Sequence, residues 1–490
     1  MGMTGLIFLS SGLFLGWSLG ANDAANIFGT AVSTRMVKFK TAALVCSIFI
    51  AAGAVNAIGG SFVTAFAAAF TVYSMIKIGL PVSVSQAVVG AIIGWNFFTD
   101  SVTDVNSVVK IAGTWVACPV LAGAFASVLY LIANKISLTA KLHLLHRDTL
   151  LRAAMILTGA FGAYSLGANN MANVVGVFVP VAPFANFSFG NFQISAVQQL
   201  FFVGACATAV GVYTYSYRVM GTVGKGLMPL SPLTAWVVVL AQSLVLFIFA
   251  SEGLEYFLAS HNLPTVPLVP VSSTQAVVGA VIGIGLVKGA AKIIKWSVVV
   301  RIMCGWVITP VIAATICFFS LFFMQNVFDQ RVYYPKHYVI SEKVYTRMVH
   351  AGYSGGKLAT LQGVRFNSGD EFIKAVKKRL GNLTSTQEQQ LLGMAQQVKI
   401  YINPERIDNL DPAYMTQEQI DQVKALSGKT FYYRWELQEA LAAMGKDWRY
   451  LPETKLNKQQ NKLVAQNLQI VENAFLVREK TKRRRGFPED

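Results

Sequence analysis

The stretch LGANDAANIFGTAV, residues 19–32, recurs with few changes as LGANNMANVVGVFV at residues 166–179. Two further elements recur in the same order along the chain. They are PVSVSQAVVGAIIG (81–94) with PVSSTQAVVGAVIG (270–283), and TWVACPVLAG (114–123) with GWVITPVIAA (305–314). Three matches in one order indicate two related halves that differ in loop length. Each copy lies in a long apolar run, which is typical of a membrane-spanning segment.

Charge is distributed very unevenly along the chain. Of its 490 residues, 54% are hydrophobic and 13% are charged, against about 25% charged in ordinary soluble domains. Residues 1–326 hold 15 Lys/Arg and six acids, whereas residues 327–490 hold 26 and 18. We therefore predict a first transmembrane repeat (1–151), a second, inverted repeat (152–326) and a C-terminal soluble, mainly helical domain (327–490).

Composition also argues against several other classes of protein. About half of the net charge of +17 lies in short loops between apolar runs, where orientation in a membrane explains it better than nucleic-acid binding. The five cysteines lie in apolar stretches without paired spacing, so neither a disulfide framework nor a zinc site is predicted. The sequence has no Ser-His-Asp or His-Glu-x-x-His arrangement, and we predict no enzyme and no catalytic residue.

The loops between apolar runs predict the topology. Ten runs are long enough for a bilayer crossing: roughly 4–33, 41–59, 61–79, 81–99, 108–133, 152–179, 193–217, 232–251, 266–287 and 296–324. With the N-terminus outside, all four loops rich in Lys and Arg fall inside, as the positive-inside rule requires. This gives five crossings per half. Because five is odd, the second half is inverted. Ten crossings in total return the chain to the side on which it began, so the C-terminal domain is predicted on the outer side of the cytoplasmic (inner) membrane. The expected fold class is an all-α polytopic membrane protein with about 5+5 transmembrane segments, of which 81–99 and 266–287 are broken helices or hairpins.

Asp23 is the only acid in an apolar run of the first 90 residues. A charge in hydrocarbon costs at least about 2.5 kcal/mol, so the carboxylate is expected to face a cavity or a partner. A carboxylate with neighbouring Asn carbonyls supplies hard oxygen ligands for a cation. Polar contacts between helices are the competing explanation of the asparagines. The predicted cation-binding residues are Asp23, Asn22, Asn26, Asn169, Asn170 and Asn173.

The Pro-Val-Ser elements offer the opposite polarity. Pro81 and Pro270 suit the first turn of a helix, where free N–H groups gather. Such helix starts bind oxyanions, although hydroxyl capping of a buried helix end is an alternative. The predicted oxyanion-binding residues are Ser83, Ser85, Gln86, Ser272, Ser273, Thr274 and Gln275. Together the two sets of residues predict a carrier that takes up an anion with a cation.

The four motif copies in residues 4–324 resemble the inorganic phosphate transporter (PiT) family, whose members carry a GANDxAN-type signature in each of two inverted halves. The resemblance implies a homodimeric carrier that couples phosphate uptake to sodium or protons. It implies no cofactor and no metal beyond transported sodium. Its Asp/Asn signatures and Ser/Thr-rich hairpins would form the site. The tail lies outside the resemblance.

The sequence departs from the family pattern at two kinds of position. Asn170 stands where the second signature has Asp, which removes a formal charge. Gln86 and Gln275 stand where many members have His, which weakens a His-based proton relay but leaves protonation of Asp23 possible. A site with fewer carboxylates discriminates less clearly against sulfate, so a sulfate permease of the same fold stays an alternative. A membrane receptor that senses an anion and signals through its tail is an alternative of another class.

Overall fold

The computed structural model describes residues 10–23, 62–140, 143–175, 187–189, 192–194, 196–216, 227–289, 291–326, 336–410, 415–452, 454 and 457–477. The chain divides into two compact units. The first comprises residues 1–98 and 105–332, and the second comprises residues 99–104 and 333–490. Helices make up most of both units, as the sequence predicted.

The first unit is built from apolar helices. These are α1 (10–23), α2 (Phe62–Lys77), α3 (Val84–Phe98), α4 (Val105–Thr139), α5 (Leu144–Val175), α6 (Ala196–Thr214), α7 (Pro232–Ile248), α8 (Glu252–Ser260), α9 (Ser273–Val287) and α10 (Trp296–Asn326). A short antiparallel hairpin, β1 (Phe187–Phe189) with β2 (Phe192–Ile194), precedes α6. The predicted segment 41–59 lies outside the described residues.

Several of these helices are long and apolar enough to cross a membrane. Within the described residues four helices meet this criterion, namely α4, α5, α6 and α10, and the pair α7–α8, bent by 69°, would add a fifth. By contrast, α3 and α9 have 15 residues each, or about 22 Å of helix, less than the roughly 30 Å hydrocarbon core. Non-helical residues, 78–83 and 261–272, precede the two short helices. A broken helix or a hairpin stays the prediction for each Pro-Val-Ser segment.

The two halves pack against each other through equivalent elements. Helix α3 packs on α10, and α9 packs on α4. A Cβ atom added at Gly90 or at Gly279 would come within 3.0 Å of the backbone of Pro310 or Pro119, respectively. These glycines and prolines are equivalent positions in the repeated sequence. The same close contact is therefore made twice, with the roles of the halves exchanged.

The second unit combines helices with short strands. Its helices are α11 (Glu342–His350), α12 (Gly355–Leu358), α13 (Gly369–Leu380), α14 (Ser385–Ala395), α15 (Gln417–Lys424), α16 (Arg434–Met444) and α17 (Lys458–Phe475). Strand β3 (His337–Val339) pairs with β4 (Arg365–Phe366) and β5 (Gln396–Gln397), and β6 (Ile400–Tyr401) pairs with β7 (Thr430–Phe431). Two apolar clusters form its core.

Capping boxes of Thr with Gln begin two of these helices. Thr416 and Gln419 form the capping box that their spacing predicts. The spacing of Ser385 and Glu388 predicts a second box, but the structure forms it one residue earlier, at Thr384 with Gln387, because Thr384 has the extended backbone of an N-cap. On α16, partial burial raises the pKa of Glu436. Hydrogen bonds from Lys343 and from the backbone at Tyr432 and Tyr433 outweigh that effect and lower the pKa below its usual value.

Candidate functional site

The described part of the first signature, residues 19–23, lies on α1 and contacts both Pro-Val-Ser elements. The amide Nδ2 of Asn22 donates to the carbonyl of Val82 at 2.7 Å and to Oδ1 of Asp23 at 2.6 Å. Asp23 is also hydrogen-bonded to Ser273. Residue Val82 belongs to the first half and Ser273 to the second. The first signature therefore connects the two halves.

The second signature lies in the last turns of α5 and makes the reciprocal connection. Oδ1 of Asn169 accepts the backbone N–H of Val271 at 2.9 Å. Oδ1 of Asn170 accepts the hydroxyl of Ser85 at 2.9 Å. The amide of Asn173 reaches Ser85 Oγ at 3.4 Å and Asn170 Oδ1 at 3.5 Å. Ser85 belongs to the first half, so each signature contacts the helix start of the other half.

The two helix starts are themselves capped by serine. Oγ of Ser83 accepts the N–H of Gln86 at 3.2 Å, and Oγ of Ser272 accepts the N–H of Gln275 at 3.3 Å. Capping thus accounts for one contact of each of these two serines. It does not account for Thr274, whose hydroxyl donates at 3.1 Å to the same Val82 carbonyl that Asn22 contacts.

The structure brings together all the predicted site residues that it describes. Asn26 lies outside the described residues, and Asn173 is only partly buried. Each of the others is at most 5% exposed. These are Asn22, Asp23, Ser83, Ser85, Gln86, Asn169, Asn170, Ser272, Ser273, Thr274 and Gln275. Four sequence motifs separated by up to 250 positions therefore form one buried polar cluster.

Several buried side-chain atoms in this cluster have no hydrogen-bond partner among the residues that the structure describes. They are Oδ1 of Asn22, Oε1 of Gln86 and of Gln275, and Nδ2 of Asn169 and of Asn170. Each unpaired buried polar atom costs about 1–3 kcal/mol. Polar contacts that serve only to join helices would leave few such atoms. The cluster therefore holds both acceptors and donors that suit a cation and an oxyanion.

The sequence reading did not single out Arg301. A cavity of about 150 Å³ adjoins the cluster. Thr274 of the cluster and the exposed Arg301 of α10 both line this cavity. The turn Gly79–Pro81 before α3 lines it as well. The available signal was a lone arginine inside the apolar run 296–324.

Comparison with known proteins agrees with the sequence motifs. The profile of the phosphate transporter family matches residues 19–317 and 261–475. A candidate phosphate permease of Methanocaldococcus jannaschii is 27% identical over 317 residues, which cover 62% of this chain and 93% of that protein. The sulfate permease CysP of Bacillus subtilis is 26% identical over 327 residues, which cover 62% and 84%.

Among solved structures, one titled "The sodium-dependent phosphate transporter" matches with a TM-score of 0.49 and 21% identity, covering 66% of this chain and all of that one. The family match spans most of both predicted repeats and confirms the resemblance drawn from the signatures. It also extends to residue 475, and so covers most of the tail, which we expected to lie outside the resemblance. It identifies the chain as a multi-pass membrane transporter and not an enzyme. The chain belongs to the phosphate transporter family.

Proposed function

We propose that this protein is a secondary transporter that takes up inorganic phosphate together with a sodium ion. The observation that carries the proposal lies where the four motifs meet. There, buried atoms of both polarities have no hydrogen-bond partner in the described parts of the chain. Unpaired acceptors favour a cation or a hydroxyl donor, and unpaired donors favour an anion. Phosphate transport is also the function for which the family is named.

The first signature supports the cation site. The Asp23 carboxylate lies beside Asn22, whose Oδ1 has no hydrogen-bond partner within the described ranges of the chain. Carboxylate and carbonyl oxygens are hard ligands that suit sodium. A proton would need one acceptor only, whereas Asn22 offers a second oxygen. Asn26, Asn169, Asn170 and Asn173 were predicted to share this role.

The helix starts support the phosphate site. Ser83, Ser85 and Gln86 belong to the start of α3, and Ser272, Ser273, Thr274 and Gln275 to that of α9. A helix start carries partial positive charge and N–H donors, which stabilise an oxyanion without a basic side chain. Two such starts in one cluster provide this environment on two sides of a bound anion.

Two glutamines bear on the choice between phosphate and sulfate. Oε1 of Gln86 and of Gln275 is buried and unpaired. Protonated phosphate carries hydroxyl groups that can donate to these carbonyls, whereas sulfate carries none at neutral pH. A site with buried acceptors favours the ligand that satisfies them. The similarity to a sulfate permease keeps sulfate as the competing substrate.

Several predictions from the sequence belong to the same proposal. The exchanged contacts of α3 with α10 and α9 with α4 support two inverted repeats. A cytoplasmic membrane location, both termini outside, a soluble C-terminal domain and a homodimer complete the proposed arrangement. Alternating access would move one repeat against the other around the polar cluster.

Uptake of labelled phosphate by the purified protein in proteoliposomes tests this function. We expect accumulation with an inward sodium gradient and little accumulation when choline replaces sodium. Uptake driven by a proton gradient alone would show that the coupling ion is the proton and not sodium. Stronger competition by unlabelled sulfate than by unlabelled phosphate would favour a sulfate permease. Phosphate binding without concentrative uptake would contradict transport and favour a receptor.

A further inference from the structure

Two equivalent asparagines make opposite contacts with the backbone. The amide of Asn22 donates to the carbonyl of Val82, whereas Oδ1 of Asn169 accepts the N–H of Val271. A backbone carbonyl only accepts and a backbone N–H only donates, so these partners fix the orientation of each side-chain amide. Among the described residues, the atom of Asn22 left without a partner is therefore its oxygen, and that of Asn169 is its nitrogen.

The residue after each of these asparagines presents atoms of the same kind as the asparagine: acceptors at Asp23 and a donor at Asn170. Asp23 supplies carboxylate oxygens, which accept hydrogen bonds from Asn22 and Ser273. Asn170 uses its oxygen to accept from Ser85 and leaves its Nδ2 unpaired. The first signature thus presents oxygen atoms, and the second signature presents amide donors.

The second signature also lies next to both helix starts. Asn169 contacts Val271, the residue before the cap of α9, and Asn170 contacts Ser85 in the first turn of α3. Both asparagines are at least nine-tenths buried. Amide N–H groups would repel a cation and would stabilise an oxyanion beside the helix starts.

We infer that Asn169 and Asn170 bind the transported oxyanion through their amide donors, and that the first signature alone binds the cation. This inference rests on the proposed function and revises the predicted role of these two residues. The change from Asp to Asn in the second signature would then convert a position suited to cation binding into an anion ligand, with no change in the surrounding motif.

The variants Asn169→Asp and Asn170→Asp test the inference, because each places acceptor oxygens where donors now lie. Full-length protein in lipid nanodiscs would be titrated with labelled phosphate at saturating sodium, and with sodium at fixed phosphate. We expect phosphate affinity to fall at least about tenfold, the effect of losing a hydrogen bond to a charged ligand. The sodium concentration for half-saturation should change less than about twofold.

A matched control is Asn134→Asp, on α4 at a partly exposed position, which adds the same charge and should alter neither affinity. Asn170→Ala removes the donor without adding charge and serves if the aspartate variant does not fold; we expect about fivefold weaker phosphate binding.

The opposite result would overturn the inference: unchanged phosphate affinity together with tighter or steeper sodium binding in Asn170→Asp, or unchanged phosphate affinity in Asn170→Ala. Failure of the proposed function would instead be seen in the wild-type protein, as phosphate uptake that ignores an ion gradient.

Discussion

The two signatures have nearly the same sequence and equivalent places in their halves, yet their buried atoms have opposite polarity. Asn22 and Asp23 present oxygens, whereas Asn169 and Asn170 present amide donors. The surrounding contacts differ little, because each signature contacts the backbone of its own Pro-Val-Ser element and a hydroxyl of the other. A repeated framework can therefore be kept while the chemistry of its two copies diverges.

The largest effect is expected at two equivalent glycines, Gly90 and Gly279, where substitution should disturb the fold of both halves alike. Gly90→Ala and Gly279→Ala each force a methyl group into the backbone of Pro310 or Pro119. Overpacking of this kind costs about 1–3 kcal/mol or more when backbone must move. We expect both variants to lose most of the folded protein, measured by fluorescence-detected size-exclusion chromatography of detergent extracts.

Gly113→Ala is the control for these variants, because a Cβ there meets nothing within 4 Å. It should leave the yield of folded protein unchanged. Tolerance of one glycine variant and not of the other would show that the two interfaces are not equivalent, and would weaken the repeat on which the comparison rests.

Asp23→Asn makes the first signature resemble the second. Loss of the carboxylate should reduce sodium-driven phosphate uptake about 100-fold, the equivalent of a charged interaction of roughly 3 kcal/mol. Initial uptake rates in proteoliposomes would measure it. Asp148→Asn is the control, since Asp148 is half exposed and paired with Arg152. Sodium-dependent uptake retained in Asp23→Asn would remove the cation role from this residue.

The hydroxyl contacts of Ser85 and Thr274, one at each helix start, should contribute unequally. Ser85→Ala removes the hydroxyl that joins Asn170 and Asn173 to the start of α3. We expect the KM for phosphate to rise about tenfold. Thr274→Val should raise it only about threefold, because the Val82 carbonyl keeps its bond from Asn22. Equal effects would indicate that the two helix starts contact the substrate in the same way.

The smallest effect is expected outside the buried cluster. Arg301 borders the cavity that reaches Thr274, and an exposed positive charge attracts an anion weakly in high dielectric. Arg301→Gln should raise the KM for phosphate about twofold to threefold at low salt and less at high salt. Arg301→Lys retains the charge and should behave like the wild type. A change that salt does not reduce would argue against an electrostatic role.

Much of the fold could be predicted from the sequence because the signals are long and repeated. The apolar runs, the interruptions before Val84 and Ser273, and the meeting of the four motifs all follow from hydropathy and internal duplication. Local boundaries were less certain. The capping box at Thr384 lies one residue from its predicted place, because neighbouring Ser and Thr residues are equally good candidates until the backbone conformation is known.

The polarity of the second signature could not be read from the sequence. An asparagine carries both a donor and an acceptor. Which of the two is left unpaired depends on whether a backbone carbonyl, as at Val82, or a backbone N–H, as at Val271, faces it. That choice is set by tertiary placement over 60 and 102 positions of sequence. The sequence reading therefore grouped Asn169 and Asn170 with the cation ligands.

Exchange of the two signature residues tests the central claim most directly. The double variant Asp23→Asn with Asn170→Asp moves the carboxylate from the first signature to the second and keeps the net charge. Sodium-driven phosphate uptake should stay as low as in Asp23→Asn alone, because the second signature faces the anion with its donors. Recovery of sodium-driven uptake in the double variant would contradict the account, since either half could then bind the cation.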